Sequence, residues 1–316
     1  MKRNDVYIAG AVRTPIGKFG GSLSSLTAVD LGVAAAKAAL ERAGVRAEEV
    51  DQAILGHARQ AGCGPNPGRQ IAVAAGLPVE RPAFTINQAC LSGMQAILDG
   101  ARAIRLREAE IVLAGGTESM SRVPYLLWAR WGYRMGDQSI VDGMYRDGFL
   151  DPISEKVMGE TAETLAVQYR ISREEQDAYA AESQQRCERA TDAGLFRDEI
   201  VPVEVRTRRG AERVEKDEHP RAGVTAESIA KLPPVFAEDG TVTAATSSGI
   251  TDGAAAVVLL SGEALERLGV RPLARIVAYR VDGVDPAIMG IGPVPAVRNL
   301  LEATGVSLDD IDLVEL

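Results

Sequence analysis

Short apolar runs alternate along the chain with longer amphipathic stretches. Residues 28–43 have the spacing of a helix, with Thr27 as its N-cap and Gly44 as a left-handed stop. Four runs in the first 114 residues favour strands, and they begin at Val6, Ala53, Phe84 and Ile111. The alternation predicts an α/β fold with a largely parallel sheet.

The middle of the chain has a different pattern, which predicts an insertion between two α/β parts. Both tryptophans lie between residues 120 and 249. Ser172 to Glu175 predicts a capping box at the start of a long helix that Gly194 can close. Residues 200–205 alternate like an exposed strand, and residues 206–216 predict a charged hairpin or loop. Beyond the insertion, residues 254–260 and 275–279 return to buried strands.

A short internal repeat links the two ends of the chain. Residues 40–51 recur as residues 301–312 at one constant offset. Residues 312–316 have the pattern of a buried strand, so we expect the second copy to be incomplete. The predicted domains are therefore an N-terminal half, an inserted loop domain and the start of a second half. Their residues are 1–119 with 250–271, then 120–249, then 272–316.

Composition excludes several classes of protein. The 316 residues carry a net charge of −9, which repels nucleic acid and anionic membrane surfaces overall. No apolar run approaches the roughly 20 residues that a membrane span needs, and the start has no signal-peptide pattern. Three widely spaced cysteines fit neither a disulfide framework nor a zinc site, and we expect a reducing, cytoplasmic location. No His, Asp or Glu group has metal-ligand spacing.

Cys90 is the strongest candidate for chemistry. It lies between a predicted strand ending near Asn87 and a predicted helix starting near Ser92. The partial positive charge of a helix N-terminus favours a thiolate there, while Gly93 permits close approach of a substrate or a backbone. A buried structural cysteine is the alternative.

The other thiols and the two histidines are weaker candidates. Cys63 lies in a loop and Cys187 in a charged helix, and both favour a bystander role. His57 follows a strand and could share a sheet end with Cys90, whereas His219 lies in a charged loop. The glycine-rich turns at 114–120 and 246–253 match no phosphate-binding fingerprint. They could bring backbone N–H groups near a ligand, and tight helix–sheet packing explains them equally well.

Taken together, the motifs resemble those of the thiolase family along the whole chain. Single motifs are weak, but their order is specific. They are Val-Arg-Thr-Pro-Ile-Gly-Lys-Phe-Gly-Gly from Val12, Asn-Gln-Ala-Cys-Leu-Ser-Gly from Asn87, Ala-Gly-Gly-Thr-Glu-Ser-Met-Ser from Ala114, Met-Gly-Glu-Thr-Ala-Glu from Met158, Gly-Thr-Val-Thr-Ala from Gly240, Asp-Gly-Ala-Ala-Ala from Asp252 and Met-Gly-Ile-Gly-Pro-Val-Pro-Ala from Met289.

The resemblance implies a layered α-β-α-β-α fold with a loop domain, and an acetyl-CoA C-acetyltransferase reaction. Cys90 would hold the acyl group as a thioester, and oxyanion-hole donors would stabilise the enolate of acetyl-CoA. Coenzyme A would be a substrate rather than a permanent cofactor, and relatives imply a dimer or tetramer. The family's coenzyme A positions match Met158, Arg221, Ser228, Phe236, Ala244 and Ser248.

Three departures from the family keep alternatives open. Val157 stands where many acetyl-CoA-specific relatives have His, and Ala244–Thr246 replaces Ala-Gly-Asn, so a thiolase of longer 3-ketoacyl chains is an alternative. The family's Asn-Glu-Ala-Phe, Gly-His-Pro and Cys-x-Gly segments, which carry an oxyanion-hole Asn, the activating His and a second catalytic Cys, are absent from the 316 residues. A further alternative is therefore a truncated, catalytically inactive chain that only binds coenzyme A or partner subunits. A carrier-dependent ketoacyl synthase and a cysteine hydrolase are weaker alternatives.

Overall fold

The computed structural model describes residues 5–208 and 210–316, and the chain divides into two compact units. Unit 1 comprises residues 1–148, 186–222 and 249–276, and unit 2 comprises residues 149–185, 223–248 and 277–316. The domain boundaries drawn from the sequence remain a prediction. Arg209, within the predicted charged hairpin, and Met1–Asn4 lie outside the described residues.

Unit 1 contains the larger set of strands and helices. Its strands are β1 Val6–Arg13, β2 Gly17–Lys18, β3 Gln52–Gly56, β4 Ala83–Ile86, β5 Ile111–Ser119, β6 Tyr125–Leu126, β7 Val141–Asp142, β8 Val203–Thr207, β9 Gly210–Val214, β10 Thr251–Ser261 and β11 Ala274–Ile276. Its helices are α1 Ala28–Ala43, α2 Pro67–Ala75, α3 Ser92–Leu106 and α7 Gly262–Leu268.

Unit 2 is mainly helical. Its helices are α4 Met158–Tyr169, α6 Ala226–Ile229 and α8 Pro293–Thr304, and α5 Arg173–Asp192 begins in this unit and continues into residues of unit 1.

The main sheet is mixed, so the prediction of a largely parallel sheet was wrong. Its order is β11-β1-β10-β5-β3-β4, with β2 pairing β10. Only β3 with β4 and β3 with β5 are parallel, and every other pair is antiparallel. The alternation of apolar runs does not encode strand direction, and β10 inserts between β1 and β5 only after a long intervening segment.

Helices cover both faces of this sheet. Thr117 donates a hydrogen bond from its hydroxyl to the Ala28 carbonyl of α1, at 2.5 Å, while its neighbour Gly116 packs on Gly93 of α3. Because successive strand residues point to opposite faces, α1 and α3 lie on opposite sides of the sheet. Leu31, Leu55 and Leu113 are among the fully buried side chains of the core.

The helix ends that were predicted from local residues are confirmed. Thr27 caps α1 and forms a capping box with Asp30, and Gly44 closes the helix at φ +66°. The box of Ser172 with Glu175 is also present, since each accepts a hydrogen bond from the other's backbone N–H.

Two predicted strands near the C-terminus differ from the structure: one is shorter and less buried than predicted, and the other is absent. The predicted buried strand at 275–279 is reduced to the exposed edge strand β11, and residues 312–316 form no strand and are exposed. The incomplete second half was inferred from that last strand and is not confirmed, because residues 277–316 form part of unit 2 and contain the helix α8, with Gly305 as its C-cap. Nothing pairs with residues 312–316 among the described strands, and an apolar pattern needs such a partner to become a strand.

Candidate active site

Cys90 lies at the turn between β4 and α3, as the sequence predicted. It is exposed, so the alternative of a buried structural cysteine is wrong. Ala89, the residue before it, has φ +49°, in the left-handed region that costs a non-glycine residue about 1 kcal/mol. A strained residue next to a candidate nucleophile is consistent with a turn shaped for function.

Side chains from both ends of the turn hold it in place. Ser92 accepts a hydrogen bond from the Gln88 N–H at 2.8 Å and donates its hydroxyl to the Ala89 carbonyl at 2.6 Å. Asn87 Oδ1 accepts from the Ala89 N–H at 3.0 Å, and Asn87 Nδ2 donates to the Ala58 carbonyl at 3.1 Å. The turn that carries the thiol is therefore fixed before any substrate arrives.

Three glycines let the start of α3 approach the sheet. A Cβ on Gly56 would lie 2.3 Å from the Ser92 carbonyl carbon and 2.4 Å from the Gly93 nitrogen. A Cβ on Gly116 would lie 3.1 Å from the Gly93 Cα. Tight helix–sheet packing therefore accounts for Gly116 of the glycine-rich turn at 114–120, and it places the positive end of the α3 dipole beside Cys90.

His57 contacts a different thiol. Its Nε2 lies 3.3 Å from Cys63 Sγ, and its Nδ1 lies 2.8 Å from the Thr117 carbonyl and 3.0 Å from Glu118 Oε1. In the part of the chain that the structure describes, Cys90 makes no side-chain hydrogen bond to either histidine, so the cysteine-hydrolase alternative gains no support. His219 instead packs on Gly249, where an added Cβ would lie 1.6 Å from its Nε2.

Glu118 changes the protonation of this pair. Burial opposes the charged imidazolium of His57, but the hydrogen bond and negative charge of Glu118 outweigh it, so the pKa of His57 is raised. Burial, and next the charge of Glu118, raise the pKa of the Cys63 thiol. Cys63 and His57 therefore form a hydrogen-bonded pair, a contact that the sequence did not predict.

The predicted coenzyme A positions fall in both units. Met158, at the first position of α4, and Phe236 are partly buried in unit 2, where Ser228, Ala244 and Ser248 are exposed. Ser228 engages its hydroxyl locally, donating to the Thr225 carbonyl at 2.7 Å. Arg221 is exposed in unit 1.

Within unit 2, α4 holds the segment that carries these positions. Glu163 accepts hydrogen bonds from the Thr241 N–H at 2.9 Å and the Val242 N–H at 2.8 Å. The Phe236 ring packs on Gly159, where an added Cβ would lie 2.3 Å from ring atoms. Met158, Phe236 and the start of the segment that carries Ala244 and Ser248 are thereby tied to one helix.

Sequence reasoning missed two carboxylates that organise these regions. Glu118 and Glu163 both lie inside motifs that carried the family resemblance, yet neither received a role. Their positions in those motifs were the available signal. Assigning a role to Glu118 requires knowing that β3 ends beside β5. Assigning a role to Glu163 requires knowing that residues 241–242 lie against α4.

Residues 5–208 and 210–316 contain neither a candidate membrane-spanning helix nor a candidate metal site. No helix there is both long and apolar enough to cross a membrane. No group of three or more His, Cys, Asp or Glu side chains in the same ranges is arranged to hold a metal ion.

Comparisons with known proteins give a consistent assignment. The model of the thiolase N-terminal domain matches residues 6–263, and that of the thiolase C-terminal domain matches residues 270–316. The acetyl-CoA acetyltransferase of Pseudomonas aeruginosa is 50% identical over 313 residues, which cover 98% of this chain and 80% of that protein.

Solved structures agree with the family models. The acetyl-CoA acetyltransferase of Bacillus anthracis matches with a TM-score of 0.95 at 48% identity, over 98% of this chain and 78% of that one. The human mitochondrial 3-ketoacyl-CoA thiolase in complex with CoA matches with a TM-score of 0.92 at 46% identity, with the same coverage. The predicted α/β, thiolase-like fold is confirmed, and the chain belongs to the thiolase family.

Proposed function

We propose that this protein is an acyltransferase of the acetyl-CoA C-acetyltransferase type, which interconverts acetoacetyl-CoA plus CoA with two acetyl-CoA. The observation that carries the proposal is the exposed Cys90 on a strained turn at the start of α3, in a chain 50% identical to an acetyl-CoA acetyltransferase. An accessible thiol at a helix N-terminus is suited to attack on a thioester.

In the first half-reaction, the Cys90 sulfur bonds to the acyl carbon and the carbon–sulfur bond to coenzyme A breaks. The thiol proton leaves with the coenzyme A thiolate, so the step is balanced as a thioester exchange. The hydrogen bonds of Asn87 and Ser92 keep the sulfur in position, which lowers the entropic part of the barrier. The acyl group then waits on Cys90 for the second substrate.

Coenzyme A binding is proposed for Met158, Arg221, Ser228, Phe236, Ala244 and Ser248. An arginine in an acidic protein is a suitable local site for the phosphates of coenzyme A. The clamp of Glu163 on residues 241–242 would keep the segment with Ala244 and Ser248 in one conformation. Preorganisation of this kind raises affinity because less entropy is lost on binding.

The acylation half-reaction is the direct test. The protein would be mixed with acetyl-CoA, and released CoA would be followed by chromatography in the parent and in Cys90→Ser. We expect about one equivalent of fast release per chain in the parent, and a rate lower by about 10⁴-fold or more in the variant. Equal release in both proteins would overturn the proposal, and coenzyme A binding without acylation would favour a binding protein.

A thiolase of longer 3-ketoacyl chains is the second candidate, favoured by Val157 at the place where many acetyl-CoA-specific relatives have His. Val157 occupies the N-cap position of α4, next to Met158, which is one of the proposed coenzyme A positions. Acylation rates with acetyl-, butyryl- and hexanoyl-CoA separate the two. A rate that falls with chain length supports the acetyl-specific reaction, and a rise supports the longer-chain one. A homo-oligomer and a cytoplasmic location remain predictions.

A further inference from the structure

His57, Cys63 and Glu118 form a cluster of titratable side chains, which we call the Cys63 cluster. Strands β3 and β5 are parallel neighbours with Gly56 opposite Gly116, so His57, which follows β3, lies beside Thr117 and Glu118 of β5. His57 is only 2% exposed. Its two ring nitrogens face Cys63 on one side, and Thr117 with Glu118 on the other.

The loop after β3 is built to return Cys63 to this ring. Gly62 and Gly64, on either side of Cys63, have φ of +78° and +72°, where glycine is strongly favoured. The Cys63 N–H donates to the Gln60 carbonyl at 3.2 Å, and Gln70 Nε2 donates to the Cys63 carbonyl at 2.9 Å. The contact between thiol and imidazole is therefore fixed by the backbone on both sides.

The contacts of the ring determine its tautomer. Nδ1 faces two oxygen acceptors, the Thr117 carbonyl and the Glu118 carboxylate, and so it must carry a proton. In the neutral ring, the Nε2 lone pair then accepts the Cys63 S–H at 3.3 Å. Glu118 is itself oriented by the backbone N–H groups of Ala58 at 3.0 Å and Arg59 at 3.1 Å. Nucleophile, base and orienting carboxylate are thus in series.

We propose that Cys63 is a second acyl-accepting thiol, with His57 as its general base and Glu118 as a positioning residue. The proposal depends on acyl-CoA being the substrate, as proposed above. Nε2 takes the thiol proton, the Cys63 sulfur bonds to the acyl carbon, and the carbon–sulfur bond to coenzyme A breaks. The coenzyme A thiolate then takes the proton from Nε2, so no oxidant or other reactant is needed.

The charges around the cluster agree with this assignment. Burial and Glu118 raise the pKa of Cys63 while Arg122 opposes them, so the thiol keeps its proton at neutral pH and needs a base. Burial and Arg59 act against protonation of His57, but Glu118 outweighs them and raises its pKa. The base form of His57 therefore becomes populated at higher pH than it does in an ordinary histidine.

Cys187 provides an internal control for a test of this proposal. It is partly buried like Cys63, lies on α5, and its side chain has no hydrogen-bond partner in the described ranges. Cys90→Ser would be incubated with acetyl-CoA, and S-acetylation of the Cys63 and Cys187 peptides would be timed by mass spectrometry. We expect Cys63 to react about 100-fold faster than Cys187, the lower end of general-base effects.

Two further variants separate base catalysis from simple exposure. His57→Gln should lower the rate of S-acetylation of Cys63 to within about tenfold of the rate for Cys187. Glu118→Gln should move the midpoint of the pH–rate profile of Cys63 to lower pH, which a purely structural role would not do. Acetylation of Cys63 no faster than that of Cys187 in Cys90→Ser would overturn the proposal, even if His57→Gln fails to fold. Failure of the proposed function would show separately, as an unacetylated Cys90 peptide in the parent.

Discussion

The two copies of the internal repeat begin alike and then diverge. In the first copy, α1 ends at Gly44 with φ +66° and a 3-10 turn follows at Ala47–Glu49. In the second, α8 ends at Gly305 with φ +69° and a 3-10 turn follows at Leu308–Asp310. Beyond the turn, residues 52–56 form the buried strand β3, whereas residues 312–316 are exposed and irregular.

The difference separates what a local sequence determines from what a partner determines. The left-handed glycine and the turn depend on residues within the repeat, so both copies form them. The strand forms only in the first copy, where β3 pairs with β4 and β5. That strand ends at Gly56 and is followed directly by His57, so the first copy also positions the start of α3 and the Cys63 cluster.

The largest expected effect is the loss of stability when Leu55 is shortened to alanine. Leu316 is the comparison, because it lies at the same offset from the second copy of the repeat. Leu55 is 1% exposed and Leu316 is 93% exposed. Leu55→Ala should lower the free energy of unfolding by about 3 kcal/mol, because it leaves a cavity in the core. Leu316→Ala should change it by less than about 0.5 kcal/mol. Urea denaturation followed by circular dichroism measures both changes. Equal losses of unfolding free energy would show that the two positions do not differ in burial as described.

Gly56→Ala tests whether β3 positions the nucleophile. The added methyl group would overlap the backbone of Ser92 and Gly93, costing about 2 kcal/mol and displacing the turn that carries Cys90. We expect acylation of Cys90 to slow in the folded variant. Gly283→Ala is the matched control, because its Cβ meets no atom within 4 Å and its φ is not positive. Unchanged acylation in Gly56→Ala would contradict the account.

A smaller effect should be the same in both copies. Gly44→Ala and Gly305→Ala meet no steric contact within 4 Å, so each should cost only the left-handed strain of alanine, about 1 kcal/mol. The measurement is again urea denaturation. A loss confined to Gly44→Ala would show that the second turn does not depend on its glycine.

The smallest expected effect is the pH dependence that His57 adds to stability. Its pKa is raised in the folded protein: burial opposes the charge, but Glu118 outweighs burial. Its stabilising contribution is therefore full below about pH 6.5 and is lost as pH rises through the folded pKa. The difference in unfolding free energy between the parent and His57→Gln should shrink between about pH 5 and about pH 8.

The control for that titration is the same pair of proteins carrying Glu118→Gln. Without the carboxylate the difference should no longer shrink with rising pH, since the charge that raises the pKa is gone. A difference that grows with pH in the original pair would contradict the assignment of Glu118 as the partner of His57.

Features determined by short segments could be predicted from the sequence. The α1 caps at Thr27 and Gly44, and the place of Cys90 between β4 and α3, follow from local residue preferences and were correct. The thiolase-like fold was correct because an ordered set of motifs carried it.

Features that depend on strand order and direction could not be predicted. The direction of β10, the missing strand at 312–316 and the contact of His57 with Cys63 all depend on which strands lie side by side. Hydrophobic periodicity does not contain that information. Residues 57 and 118 are far apart in sequence, and only the parallel pairing of β3 with β5 brings them together.

We propose that Cys90 carries the acyl group, and the position of that group can be mapped on the protein. The protein would be quenched in acid shortly after acetyl-CoA is added, then digested, and the acetyl group would be located on the peptides of Cys63, Cys90 and Cys187. We expect the early acetyl thioester on Cys90, and we expect it to disappear from that position in Cys90→Ser. An early acetyl group on another residue, with the Cys90 peptide unmodified, would contradict it.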